Sequence, residues 1–451
     1  MSNLKKNYLA EYDAATEEDK YPLIVKWMSE EPLPFFKQLR QQRPVLVNSV
    51  CTLVANFNDV RDMLLMPKVV TVDLYKPKMG VTATDEGYLM AHDDDALHYR
   101  EKSLMQAMLN RDDLPYIRSI IEKACEKILK KADGKLEMVR GYSRNVPAIM
   151  VKQYFGLDGI ETDHLLRWSY WNQIDAFNNQ PIDILTKEQS QHITDTHDEV
   201  SEEFGVYMGV LIARKMTRIQ VDKFLHKLSL PWRLIKKLFY FLMKKEPPKG
   251  NPDEVIMRML KSSFDKDIDF NIVRLGVNAG GLLIGSIETT SQAVTQIVDF
   301  LLNKPELLAA ARVAAQQDDS TEFDNIVWEA SRFVPIRPDI FRILASNYTV
   351  AKGSEHETLI PSGTIVRLLT QSAMFDSYAY KDPEDFNPDR NLYHNFTFGI
   401  GSHTCLGKYV GIVMIPEMVK QIILMKGLKS DGGINYKDSP FPEEFNLQWD
   451  K

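Results

Sequence analysis

Cysteine is scarce in this 451-residue chain: Cys51, Cys125 and Cys405 are the only three, an odd number at wide spacing. Such a set offers neither a disulfide framework nor a zinc-ligand pattern, and it points to a reducing compartment. Long hydrophobic runs are missing as well. The longest uncharged run of the mid-chain helical pattern, Leu275 to Ile287, is well short of the roughly 20 residues that span a membrane. The opening stretch MSNLKKNYLAEYDAATEEDKYP has no apolar core of the kind a secretory leader needs. Internal repeats and low-complexity tracts are absent too. These absences lead to the expectation of a cytoplasmic protein.

What is present suits a large folded core, with 44% hydrophobic, 10% aromatic and 26% charged residues. The net charge of −7 hides an asymmetry: between Arg214 and Lys245 there are ten basic residues and one acid, Asp222. The rest of the chain is therefore acidic and lacks basic residues interleaved with aromatics, which argues against a nucleic-acid partner. Within the basic insertion, about 214–250, the segment DKFLHKLSLPWRLIKKLFYFLMKK interleaves Trp232, Leu234, Phe239, Tyr240 and Phe241 with lysines. It reads as an amphipathic surface element. Residues 223–245 are thus a candidate for peripheral contact with the inner face of a membrane, the competing readings being a helix packed on the core and a docking site for a partner.

The pattern along the chain is mostly helical, with a minor strand-rich part at about 40–75 and 345–370, in a single domain over 1–451. PLPFFKQLRQQ reads as a short helix, and PVLVNS and CTLVANF read as strands. From about 93 to 345 helical periodicity dominates. One pattern runs from an N-cap near Asp269 to Lys304-Pro305, and as one helix it would be about 48 Å long. A last helix follows Cys405, with a kink expected at Pro416.

FTFGIGSHTCLG, residues 396–407, sets the third cysteine in a glycine-rich loop ahead of that helix. A zinc reading fails for want of further soft ligands, since His403 alone is not enough. A thiolate ligand to haem iron wants backbone N–H groups aimed at its sulfur and an aromatic shield. The pattern Phe398-x-x-Gly401-x-x-x-Cys405-x-Gly407 supplies both.

This loop resembles the haem-binding signature of the cytochrome P-450 family, the bacterial soluble haem-thiolate monooxygenases. Three more segments match in order: Glu329-Ala-Ser-Arg332, Asp385-Phe-Asn-Pro-Asp-Arg390, and Gly285-Ser-Ile-Glu288-Thr289-Thr290. The resemblance implies the P-450 fold, with a long central helix over haem b (iron protoporphyrin IX), and Cys405 as the metal ligand. It implies that Glu288 and Thr289 end a proton path, and that Glu329, Arg332 and Arg390 lock the fold behind the cofactor. It also implies propionate contacts from His98, Lys102, Arg342 and His403. Lys102 stands where the family has arginine, with Arg100 as an alternative. Ser286 departs from the family's frequent glycine. By the same resemblance, Ile336–Ile340 and the helix face of Ala279, Leu283 and Gly285 border the substrate cavity, with Arg337 and Asp339 adding polarity.

The implied activity is insertion of one oxygen atom of O2 into a largely apolar organic substrate. NAD(P)H would supply electrons through a ferredoxin or flavodoxin and its reductase, docking near Lys408. A peroxide-driven peroxygenase and a non-catalytic haem-binding protein are the alternatives.

Overall fold

A computed structural model describes residues 6–83, 85–228, 243, 251–264, 268–391 and 394–451. Of the segment 223–245 singled out for membrane contact, residues 229–242, 244 and 245 lie outside the described residues, as does the rest of the basic insertion to 250. Of its described start, Lys215 is buried and paired with Glu254 and Asp158, while Arg214 reaches Asp158 at 2.6 Å. Among the described residues no helix is long and apolar enough to cross a membrane.

The helices that frame the site are α1 (Ala96–Met108), α2 (Leu114–Ala132), α3 (Thr162–Asn178), α4 (Lys187–Leu228), α5 (Ile272–Ser286), α6 (Glu288–Leu302), α7 (Thr321–Phe333) and α8 (Lys408–Ile423). Their starts follow from local chemistry: Asp95 caps α1 by accepting from the His98 N–H, and Asn271 caps α5 by accepting from the Arg274 N–H. The expected N-cap at Asp269 is therefore two residues early. α2 and α6 both pack on α8, and α3 packs on α4 and α5. Their apolar faces form one large core that includes Cys125, Val294, Val327 and Met418. Helix α8 contains Pro416 and continues on both sides of it.

The sheet part is small. β1 (Val45–Val47), β2 (Thr52–Val54), β3 (Val70–Thr71), β4 (Ile340–Leu344) and β5 (Ile365–Leu368) form one sheet in the order β1-β2-β5-β4-β3. Only the β2–β5 pairing, with Thr52 opposite Val366, is parallel. Two features escaped the sequence reading. Helices at Tyr8–Ala14 and Glu17–Glu30 precede the expected one at Pro32–Gln42, and a three-stranded sheet joins Lys135–Glu137, Asn446–Gln448 and Lys429–Ser430.

The mid-chain helix corrects the expectation of one continuous rod, because it breaks at Ile287 between α5 and α6. Hydroxyls explain the break. Ser286 donates to the Leu283 carbonyl at 3.2 Å and Thr289 to the Gly285 carbonyl at 2.7 Å. Side chains bonding these carbonyls loosen the ladder where glycines already weaken it.

Candidate active site

Cys405 sits where the loop from Phe398 hands over to α8. Its N–H donates to the Phe398 carbonyl at 2.8 Å, closing the loop on itself. Gly401 makes that path possible: its φ is +68°, and a Cβ there would sit 3.1 Å from Leu65. The Gly407 N–H bonds the sulfur and favours the thiolate, as do the charges of Lys102 and Lys408, yet burial is the largest influence and pushes the thiol pKa up. The Cys405 residue is nevertheless exposed by area. Both hold if the sulfur faces an internal space deep among protein atoms, and the burial is then the better guide to its chemistry. The Phe398 ring is gripped between Trp328, 5.4 Å away, and Gly411 of α8, where a Cβ would lie 3.1 Å from it.

Across that space stand α5 and α6. Gly281, Gly285 and Thr289 form a half-open to exposed stripe at four-residue spacing, while Ala279 and Leu283 are 0% and 2% exposed and belong to the core. Of the expected lining face, Gly285 is on this accessible stripe, whereas Ala279 and Leu283 are buried in the core. The loop residue Tyr88 packs on the same stripe, so closely that a Cβ on Gly281 would fall 2.1 Å from its ring. Burial raises the Tyr88 phenol pKa, and the negative charge of Cys405 adds to it. Tyr88 therefore links the glycine face to the cysteine, and no residue pattern in the sequence marked it.

Cations and histidines gather beside the loop. Lys102 donates to the carbonyls of Ser402 and, at 2.9 Å, Thr404. Burial lowers its pKa to about 8, opposed by the charge of Cys405. Arg342 is 7% exposed, its Nη1 donates to the Phe341 carbonyl at 2.7 Å, and burial lowers its pKa. No carboxylate lies in ion-pair range of it among the described residues.

His98 and His403 both have partners within the chain. Both ring nitrogens of His98 face carbonyls, Leu89 at 2.9 Å and Ser402 at 3.0 Å, so it has no spare donor for an anion. His403 meets Asp93 at 2.9 Å, and burial lowers its pKa despite that carboxylate. Arg100 pairs with Asp269 at 2.6 Å.

Glu288 is 1% exposed and reaches Arg144 at 2.8 Å. Burial pushes its pKa up to about 7, with Arg144 opposing and Glu443 adding. Behind the loop, Glu329 receives Arg332 at 2.6 Å and Arg390 at 3.1 Å, the three-way pairing that the motifs suggested. Arg337 and Asp339 do not offer charge to a cavity. Arg337 holds the end of α3 through Asn178 at 3.0 Å, and Asp339 is ion-paired with Arg367 at 2.5 Å.

The family model described as Cytochrome P450 matches residues 75–425. The chain belongs to the cytochrome P450 family. Cytochrome P450 2E1 of Bos taurus is 27% identical over 205 residues, 41% of each chain, so this chain spans about two fifths of that relative. Steroid C26-monooxygenase of Mycobacterium tuberculosis (strain CDC 1551 / Oshkosh) is 21% identical over 338 residues, 74% of this chain and 77% of that one. Two solved structures confirm the fold at 16% identity and a TM-score of 0.72. Cytochrome P450 CYP109Q5 from Chondromyces apiculatus is covered over 96% of its length and 94% of this chain. P450BioI, in complex with hexadec-9Z-enoic acid ligated acyl carrier protein, is covered over 99% and 94%.

Membership of the P450 family implies haem, and the residues present fit one. A sulfur in reach of a backbone N–H lies near Tyr88, whose ring packs on Gly281 where a Cβ would clash with it. Arg342 is a buried guanidinium with no carboxylate in ion-pair range among the described residues, which suits a propionate. Cys51 and Cys125 are buried core residues whose thiol pKa values burial pushes up to about 11 and about 12, which disfavours a reactive thiolate.

Proposed function

We propose that this chain is a haem-thiolate monooxygenase that inserts one atom of O2 into a largely apolar organic substrate. Haem, bound through Cys405, would supply the oxygen activation. The observation that carries the reading is the Cys405 sulfur, receiving the Gly407 N–H and interacting with Tyr88, whose ring packs on Gly281 of the accessible Gly281, Gly285 and Thr289 stripe.

Each residue then has a task of its own. Gly407 and Lys102 favour the thiolate of Cys405, and Phe398 keeps water from it. Arg342 and Lys102 are the cations for the cofactor's carboxylates. Glu288 holds a proton near neutral pH, since burial brings its pKa to about 7, and Thr289 presents a hydroxyl beside it. Glu329, Arg332 and Arg390 hold the irregular run 382–390 against α7. Electrons reach the site from NAD(P)H through a separate ferredoxin or flavodoxin and its reductase, with Lys408 on the docking face. The whole chain acts as one domain, in the cytoplasm or at the inner membrane face.

The test is a carbon monoxide difference spectrum of the reduced, haem-loaded protein. A strongly red-shifted Soret band, lost in Cys405→Ser, supports thiolate ligation; a short-wavelength band in the unsubstituted protein overturns it. Oxygen-dependent NADH consumption with a surrogate redox pair then separates a monooxygenase from a haem carrier.

A further inference from the structure

Arg144 stands between two carboxylates, and it serves them unequally. Its Nε donates to one oxygen of Glu288 at 2.8 Å. Its Nη1 and Nη2 both go to Glu443, each at 3.0 Å, and Nη2 also reaches the Pro442 carbonyl at 3.3 Å. Glu443 thus has the two-pronged grip, the stronger geometry for a guanidinium and a carboxylate. Glu288 keeps a single donor, and its Oε1 is buried without a hydrogen-bond partner. Exposure rises along the row, from 1% at Glu288 through 10% at Arg144 to 20% at Glu443.

We propose that Glu443, in the C-terminal segment, is a positioning residue for Glu288. By holding the fork of Arg144 it leaves the Glu288 carboxyl under-compensated, and so able to take up and release a proton next to Thr289. The inference rests on the monooxygenase reading above and adds to it a control point outside the four motifs.

The surroundings leave few rivals for that role. Tyr170 of α3 lies under the Arg144 guanidinium at 5.3 Å and turns its hydroxyl to Ser439. Ser143, Ser291 and Thr295 bond one another beside Arg144 and carry no charge. Further along α6, Asp299 is engaged by Asn303. Arg144 and Glu443 are therefore the charges that act on Glu288, and they act with opposite sign: Arg144 favours its anion and Glu443 disfavours it.

Opposite signs make the test directional. The infrared carboxyl stretch of the haem-loaded protein is followed against pH, and the Glu288 band is the one that Glu288→Gln removes. Glu443→Gln frees Arg144 for Glu288, so the band's midpoint falls by roughly one pH unit. Arg144→Gln raises it. If Arg144→Gln does not fold, Glu443→Asp, whose shorter side chain loosens the fork, must move the midpoint in the same direction as Glu443→Gln.

An unmoved or raised midpoint in Glu443→Gln overturns the proposal, and so does the lack of any band that depends on Glu288. The carbon monoxide spectrum is recorded on the same samples. A missing thiolate band there counts against the monooxygenase reading and leaves the infrared result standing on its own.

Discussion

The hydroxyl of Thr289 donates to the carbonyl of Gly285, one turn back, at 2.7 Å. This one bond serves two readings of the residue: it bends the helix at the α5/α6 break, and it orients a hydroxyl on the accessible stripe. Replacement separates them. Thr289→Ser keeps the bond and Thr289→Ala removes it. If the hydroxyl helps proton delivery, Thr289→Ala raises the fraction of electrons released as hydrogen peroxide by about tenfold or more, while Thr289→Ser stays near the unsubstituted value. Equal peroxide yields for all three proteins would leave Thr289 a helix-bending residue only.

Glu288 also makes stability depend on pH. Its folded-state pKa of about 7 lies above the ordinary 4.5, so between those values the folded chain binds more protons than the unfolded one. The contribution is present in full below about pH 4.5 and is lost as pH rises toward 7. Its size is on the order of 3 kcal/mol at most. Glu288→Gln should therefore gain stability relative to the unsubstituted protein as pH increases across that window, measured by urea unfolding at several pH values. A difference that stays flat or shrinks with pH would show that Glu288 is ionised throughout.

How much of this was legible beforehand depended on the range of the interaction. The Cys405 loop, the Glu329/Arg332 pair and the β1 and β2 runs are short patterns, and they appear where read. Partners from distant segments left no mark: Asp93 for His403, Arg144 and Glu443 for Glu288, and Tyr88 for Gly281 are each joined only by folding. The lining face of α5 was misread because glycines at 280, 281 and 285 carry no hydrophobic phase. The helices at Tyr8–Ala14 and Glu17–Glu30 owe their place to an aromatic cluster, with Tyr8 and Trp27 5.4 Å apart and Trp27 and Phe35 5.2 Å apart. Local periodicity carries little of that.

The Tyr88 ring against Gly281 predicts a size-sensitive contact. Gly281→Ala must push the ring away, because its Cβ would lie 2.1 Å from it, and overpacking of this kind costs about 1–3 kcal/mol. In a Tyr88→Ala background the same substitution should cost little. A double-mutant cycle read by urea unfolding measures the coupling. A cost that is the same in both backgrounds would mean that the two residues do not meet.

Glu329 is 2% exposed and Arg332 1%, and the carboxylate also accepts from Arg390 and from the Asn387 N–H at 3.1 Å. Glu329→Gln leaves two guanidinium groups without their anion, and breaking a buried pair in this way costs about 3–5 kcal/mol. Poor yield and a lowered urea midpoint are expected, with Arg390→Lys milder because its Nη contacts are to exposed carbonyls. A Glu329→Gln protein as stable as the original would deny the pair any part in holding the run 382–390.

Lys102 offers a way to ask whether a carboxylate of the cofactor reaches it. In the haem-free chain burial holds its pKa at about 8, below the ordinary 10.5. Between these values the unfolded chain binds the extra proton, so stability rises with pH from about 8 to 10.5. Lys102→Met removes the titrating group and should flatten this slope in haem-free protein. A propionate beside Lys102 would favour the charged lysine and lift its pKa back, so in haem-loaded protein the two should show parallel pH dependence. Urea unfolding of both forms from pH 7.5 to 10.5 makes the comparison. A slope that persists unchanged after haem loading would assign Lys102 to the Ser402 and Thr404 carbonyls alone and leave Arg342 as the cation for the cofactor.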